Sequence, residues 1–401
     1  MTSKYQRRLG AFFTVLLFMF FAACASFAFE APGDVRADFE GGSRFTRGSV
    51  NVAVLRGTWR EMGRQYGALL SAELQDIYRT AILGEIAAKK PENMDVMKSI
   101  AQGYYATAPF TFRELVKGMA ETSGLSQDEL LLVNCVEMSA GLSLCSGVAA
   151  WGECAKDGLV YGRNYDNFPE WFKKLDKDIV IAVFHPADGS IPAATIGYAG
   201  EMYAVNGLNA EGIFLELNNG TPSGGSIHYD NRTHSTQTLF ALLFDAQDMK
   251  YVDTFFHTTN TGSSFIIGVA DKKEARAYEW AFFDVKRSAG ASKDGLMVIT
   301  NHFTDESWGI RTPSDGRSWN SLSRRKNLQT LAEKHRGAID AKVMMKIIET
   351  PYEKGGAATA EGTMYQLTVK PQDMALWIRI PGLQDWTHVD MGKLLSGRGE
   401  K

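Results

Sequence analysis

Near residue 144 the hydrophobic pattern of this 401-residue chain changes period, so a fold must reconcile a helical half with a strand-rich half. Upstream, Met62, Tyr66, Leu69, Leu70, Leu74 and Ile77 recur at steps of three and four, which gives one apolar helix face. A second helix is expected over 112–123, stopping at Gly124. Ser126 and Glu129 then form a capping-box pattern ahead of the apolar run 130–133, predicting a helix to about 139. Downstream, 146–151 and 159–165 read as strands, and Lys156-Asp157-Gly158 between them carries the Asp-Gly signal of a tight hairpin. This puts Cys145 at the start of a strand.

Further strands are expected at 179–184, 192–198, 201–206 and 212–217, then helices at about 235–247 and 250–258. Strands 264–270 and 275–281 follow, with a loop over 282–294 and a short strand at 296–300. Helices near 320–334 and 340–349 precede a terminal hairpin, 364–370 with 374–380. Residues 30–50, rich in Gly, Arg and Asp, read as a loose lead-in. No internal repeat or low-complexity tract interrupts this order. It implies an α+β layered domain with antiparallel sheets, preceded by a helical section. The apolar fraction of 45% is enough for a large core, and a net charge of −3 argues against a nucleic-acid binder or a polybasic membrane surface.

The N-terminus has its own logic. Lys4, Arg7 and Arg8 precede an almost unbroken apolar run over 9–23. At about 15 residues the run is short of the roughly 20 that cross a bilayer, and it matches the core of a secretory signal. Cleavage is expected after Ser26-Phe27-Ala28, making 1–28 a signal peptide. Ala22-Ala23-Cys24 is a competing lipoprotein box, in which Phe21 fits poorly. The mature protein is therefore expected in the periplasm or outside the cell, with no stable membrane span. Of the cysteines at 24, 135, 145 and 154, three remain after processing, so at least one thiol stays free in an oxidising compartment. Cys135 and Cys154 could pair, or both could be buried thiols.

Several chemistries lack their motifs. There is no G-x-S-x-G elbow, no P-loop and no H-E-x-x-H. The histidines at 185, 228, 234, 257, 302, 335 and 388 show no metal-ligand spacing, so no metal and no cofactor is expected.

The stretch 145–152, Cys-Ser-Gly-Val-Ala-Ala-Trp-Gly, is followed by Asp157-Gly158 and then Gly162-Arg163-Asn164-Tyr165-Asp166. It resembles the start of the catalytic chain in the N-terminal-nucleophile cysteine hydrolase superfamily. That group includes choloylglycine hydrolases, penicillin V acylases and acyl-coenzyme A:6-aminopenicillanate acyltransferases. Residues 57–67, from Gly57 through Gly63 to Gly67, are similar to the acyltransferase branch. So are Asn209-Ala210-Glu211-Gly212 leading to Asn218, Thr300-Asn301-His302-Phe303, and Ser321 with Arg324 and Leu328. Together these cover most of the chain beyond residue 50.

The resemblance implies a four-layer αββα fold over 145–401, with 29–144 as a helical pro-segment that stays bound after the chain cuts itself before Cys145. The freed α-amino group then serves as base for the Cys145 thiol, so no histidine is required. Arg163, 18 residues on and on the return strand of the predicted hairpin, would favour the thiolate. The resemblance implies that Asp166 holds the new α-amino group. It implies that Asn218 (or Asn219, one residue away) and Asn301 donate to the oxyanion, and that Arg324 supports the nucleophile's surroundings. A one-residue shift on a strand reverses the face, so only one of the two asparagines can point at the site.

The implied activity is hydrolysis of linear amide C–N bonds, or acyl transfer, on a small-molecule substrate: an N-acyl amide, a small peptide or a β-lactam side chain. One departure stands out: Leu144 is branched where relatives often carry a small residue such as Gly. Two other readings remain open, a peptidase using a Cys–His pair and an exported binding protein that keeps the fold without catalysis.

Overall fold

The computed structural model describes residues 36–139, 144–167, 170–224, 235–281, 294–317 and 319–397. The expected signal peptide, both of its processing sites and nearly all of the 282–294 loop lie outside these residues. Fifteen strands are present among those described. Before Cys145 come β1 (Ala37–Phe39), β2 (Gly42–Arg47) and β3 (Val50–Gly57). The predicted hairpin is β4 (Ser146–Ala150) with β5 (Val160–Asp166). Next are β6 (Ile179–Pro186), β7 (Ala193–Tyr198), β8 (Asn206–Asn209), β9 (Phe214–Asn219), β10 (Phe265–Ala270), β11 (Ala275–Trp280) and β12 (Leu296–Ile299). The last three are β13 (Thr363–Lys370), β14 (Ala375–Ile380) and β15 (Gln384–Asp390).

They form two sheets, ordered β1-β2-β3-β6-β7-β8-β9-β10-β11 and β12-β4-β5-β13-β14-β15. Every pairing is antiparallel except β3 with β6. The sheets face each other. Tyr161 of β5 packs edge-on against Phe214 of β9 at 5.0 Å between ring centroids, and Asn206 Nδ2 of β8 donates to the Tyr365 hydroxyl of β13 at 2.6 Å.

Helices cover the outer faces. After the first strands come α1 (Trp59–Leu69), α2 (Ser71–Ile77), α3 (Glu92–Thr107), α4 (Phe110–Thr122), α5 (Gln127–Asn134) and α6 (Val136–Ser139). The insertion after β9 supplies α7 (Ser235–Asp245) and α8 (Met249–Thr258), and α9 (Ser321–Lys334), α10 (Ala341–Glu349) and α11 (Met391–Leu395) follow. Leu243 of α7 lies against Gly207 of β8 on one outside, and Met344 and Ile348 of α10 against Gly162 of β5 on the other. The result is the expected α+β, four-layer αββα order.

The Ser126–Glu129 capping box forms as predicted, and Thr58 with Glu61 makes another at the start of α1. The glycines at 63, 67 and 118 have a packing reason. A Cβ on Gly63 would meet the Leu115 carbonyl oxygen at 2.2 Å, and one on Gly118 the Arg60 carbonyl oxygen at 2.2 Å. Backbone thus meets backbone where α1 crosses α4.

Three expectations change. Residues 36–57 are not a loose lead-in: they supply three strands, so the segment before Cys145 is not purely helical. β1, at the sheet edge, and β2 beside it are polar strands whose pairing is decided by tertiary contact rather than by their own alternation. Of the strand expected over 201–206 only Asn206, the start of β8, is in a strand; the backbone donors before it are taken up elsewhere, Met202 N, for one, donating to Asn134 Oδ1 at 2.8 Å. The terminal hairpin gains a third strand, β15, whose mostly half-buried residues carry no apolar alternation. Cys135, Cys145 and Cys154 are all buried free thiols. No described helix is long and apolar enough to cross a membrane.

Replacing Gly118 by Ala should cost about 1–3 kcal/mol, because the added methyl must push two helix backbones apart. Urea unfolding of Gly118→Ala beside wild type measures this; an unchanged midpoint would mean that the crossing is loosely packed.

Candidate functional site

Cys145 is fully buried, one residue before β4. In place of the expected tight Asp157-Gly158 hairpin, a nine-residue connection over 151–159 with a 3-10 turn at Gly152–Cys154 joins β4 to β5, and the strands pair so that Gly147 lies opposite Arg163. Arg163 is also fully buried and points into the space between the sheets. Its Nη2 donates to Cys145 Sγ at 3.2 Å and to the Leu217 carbonyl at 2.9 Å. Its Nη1 donates to Asn218 Oδ1 at 2.9 Å and lies 3.0 Å from Glu216 Oε2. Burial works against the guanidinium charge, but Cys145 and Glu216 outweigh it and hold Arg163 above the usual arginine range.

Asp166 ends β5 and is buried. Its backbone carbonyl accepts from Leu144 N at 2.8 Å, and its Oδ1 from the Thr363 hydroxyl at 2.6 Å. Burial pushes its carboxyl up to about 6, against the pull of Arg324, Thr363 and Arg163.

Arg324 reaches the same point from α9, 180 residues along the chain from Leu144. Its Nη1 donates to the carbonyl oxygens of Leu144 at 2.6 Å and Cys145 at 3.1 Å, and its Nη2 to Asn301 Oδ1 at 2.7 Å. Asn301 Nδ2 donates to the Asn219 backbone carbonyl at 2.9 Å. Burial depresses Arg324 below its ordinary range, and Asp166 and Cys145 pull it back.

All six residues expected at the site therefore meet around the Leu144–Cys145 peptide. The two neighbouring asparagines divide as strand alternation requires. Asn218 faces Arg163, while Asn219 turns away and its Oδ1 accepts from Thr221 N at 3.0 Å. In this resting state the Asn218 amide is engaged on both sides, its Nδ2 donating to Glu216 Oε1 at 3.3 Å.

Two partners have no role assigned in the sequence, although Ser321 is among the residues that carry the resemblance. Glu216 is fully buried against Arg163; its one signal was a charge inside the otherwise apolar run 213–217. Ser321 ties the loop after β12 to α9, its Oγ accepting from Asn301 N at 2.7 Å and facing His302 Nδ1 at 2.7 Å. His302 is a buried, hydrogen-bonded core residue, and burial holds its ring down at about 4. Among the described residues no cluster of His, Cys, Asp and Glu is arranged to hold a metal.

Solved structures do resemble this chain. An N-acylethanolamine-hydrolyzing acid amidase ortholog from Caenorhabditis elegans is 17% identical over 57% of this chain and 93% of its own, with a TM-score of 0.41. A variant of conjugated bile acid hydrolase from Clostridium perfringens is 14% identical over 62% and 93%, with a TM-score of 0.44. Penicillin V acylase from Agrobacterium tumefaciens is 11% identical over 64% and 89%, with a TM-score of 0.36. No family model and no curated protein matches the chain.

The Asp166 carboxyl titrates near 6 when folded and near 3.8 in its ordinary state. Its folded value is the higher one, so the native state binds the extra proton between these limits. Stability falls as pH rises through that window, by up to about 3 kcal/mol once the carboxylate is ionised. In a Cys145→Ala background, Asp166→Asn should match its parent in urea unfolding at pH 3.5 and exceed it at pH 8. Equal curves at pH 8 would mean that Asp166 is not strained by burial.

Proposed function

We propose that this chain is a self-processing cysteine amidohydrolase that cleaves linear amide C–N bonds through a thioester on Cys145. One observation carries the reading: the Leu144–Cys145 peptide lies in the grip of Arg324, which donates to the Leu144 carbonyl at 2.6 Å, while Arg163 faces the thiol of the next residue.

In the first reaction the Cys145 sulfur attacks the Leu144 carbonyl carbon. The oxygen takes up negative charge where Arg324 Nη1 already donates. The C–N bond breaks, the Cys145 nitrogen takes the proton, and Leu144 is left as a thioester. Water then releases the Leu144 carboxylate and leaves Cys145 with a free α-amino group and a free thiol. That amine, with an ordinary pKa of about 7.7–8.0, can accept the thiol proton directly or through a water. Asp166, at the end of the neighbouring strand, serves to hold it.

In each later turnover the thiolate attacks a substrate amide. Asn218 and Asn301 turn their NH2 groups to the oxyanion, the amine departs protonated, and water resolves the thioester. An acceptor amine in place of water gives acyl transfer. The substrates in view are N-acyl amides, small peptides and β-lactam side chains. The segment before Cys145 remains as the second chain, because β3 is hydrogen-bonded to β6. Export completes the reading, on the strength of Lys4, Arg7, Arg8 and the apolar run after them.

Intact mass and N-terminal sequencing of the purified protein test this directly. Wild type should give two fragments, one beginning at Cys145, and Cys145→Ala should stay whole. A wild type that also stays whole, and releases no amine from an amide panel, would overturn the proposal. Arg324→Gln should slow self-cleavage by about 10²–10³ by removing the donor to the Leu144 oxygen. Cleavage at the wild-type rate would exclude Arg324 from that role.

A further inference from the structure

Glu216 sits where a carboxylate is costly to place. Its side chain is fully buried between the sheets, with Oε2 3.0 Å from Arg163 Nη1 and Oε1 3.3 Å from Asn218 Nδ2. The fold makes room for it with two glycines inside strands. Gly147 pairs with Arg163 across β4 and β5, and a Cβ there would lie 2.1 Å from Glu216 Oε1 and 2.9 Å from the Tyr161 hydroxyl. Gly268 pairs with Glu216 across β9 and β10, and a Cβ there would lie 2.0 Å from that hydroxyl. Glycine inside a strand marks close approach of another group. Here both glycines open onto one pocket, which holds Arg163, Glu216 and the Tyr161 phenol.

We infer that Glu216 is the positioning residue of this site: one carboxylate fixes the Arg163 fork on Cys145 and the Asn218 amide together, and offsets part of the Arg163 charge felt by the thiol. The inference rests on Cys145 being the nucleophile. The two oxygens of the carboxylate take separate tasks, one on the arginine and one on the amide. A guanidinium donating to a thiol, a carbonyl and an amide oxygen needs an anchor that cannot rotate with it, and Glu216 comes from the opposite sheet. The titratable and charged groups facing this pocket are Arg163 and Tyr161 of β5, Cys145 before β4, and Tyr365 of β13. Arg324 and Asp166 act on Cys145 and Arg163 from the far side.

The same logic says how the site resists drift. Shortening or neutralising the carboxylate frees the arginine to lean fully on the sulfur, which makes a more stable and less reactive thiolate. It also releases the Asn218 amide from its fixed orientation.

The test is the pH titration of Cys145 in Glu216→Gln, read as thiolate absorbance against the matching Cys145→Ala protein. This readout needs neither substrate nor access to the buried sulfur. Removing the negative charge should move the thiolate midpoint down by about one pH unit or more. In the processed enzyme, kcat should fall by roughly 10²-fold with KM little changed. If Glu216→Gln does not fold, the comparison is made between Arg163→Gln and Arg163→Gln/Glu216→Gln. There the lone carboxylate is the destabilising group, and its removal should again lower the midpoint. An ordinary structural ion pair would cost stability and leave kcat where it was; an unchanged kcat in an active enzyme overturns the inference, as does an unchanged midpoint. A lowered midpoint in a chain that neither cuts itself nor hydrolyses amides would keep the role of Glu216 and sink the hydrolase reading.

Discussion

The structure is organised around a guanidinium that no water reaches. Arg163 lies wholly between the two sheets and is hydrogen-bonded to a sulfur, a backbone carbonyl and an amide oxygen, with a carboxylate beside it. A buried charge is tolerated only when it is both paired and hydrogen-bonded. Its partners come from one strand of the facing sheet, β9, and from the residue before β4 in its own sheet. The sheets must therefore stack in one register for the charge to be satisfied, and any slip would strand it. The atoms that satisfy this cation include the sulfur that the proposed reaction uses.

Arg324 plays a complementary part from outside the sheet pair. It comes from a helix rather than a strand, and it binds main-chain oxygens and Asn301 rather than the thiol. One arginine thus addresses the sulfur and the other the carbonyl. In the proposed reaction their separation would divide the chemistry between the sulfur and the group it attacks.

How far this was legible in the sequence depended on how local the information was. Cys145, Arg163 and Asp166 belong to two neighbouring antiparallel strands, so their meeting could be read from 22 consecutive residues, 145–166, although the connection between the strands is longer than the tight Asp-Gly turn expected. Asn301 and Arg324 came only from family resemblance, because nothing local ties α9 to residue 144. Glu216 was missed although the pattern held a trace of it: a carboxylate between Leu215 and Leu217, in a strand buried along its whole length, must have a partner. The reason for Gly147 and Gly268 emerges only when two sheets are stacked. β1 and β2 were hidden for a related cause: polar strands at or next to a sheet edge carry little signal of their own and take shape from the neighbour they join, whereas β3, buried inside the sheet, did carry an apolar run over 52–55.

The parallel pairing of β3 with β6 has a further consequence. A break between residues 144 and 145 would sever one covalent bond and none of the seven paired positions that join those two strands. The pieces would then share a sheet, and neither would own a complete edge. Such a molecule behaves as a reassembled split protein: it is held by cooperative sheet formation, does not come apart on dilution, and in principle could be encoded as two genes whose products find each other by completing that sheet.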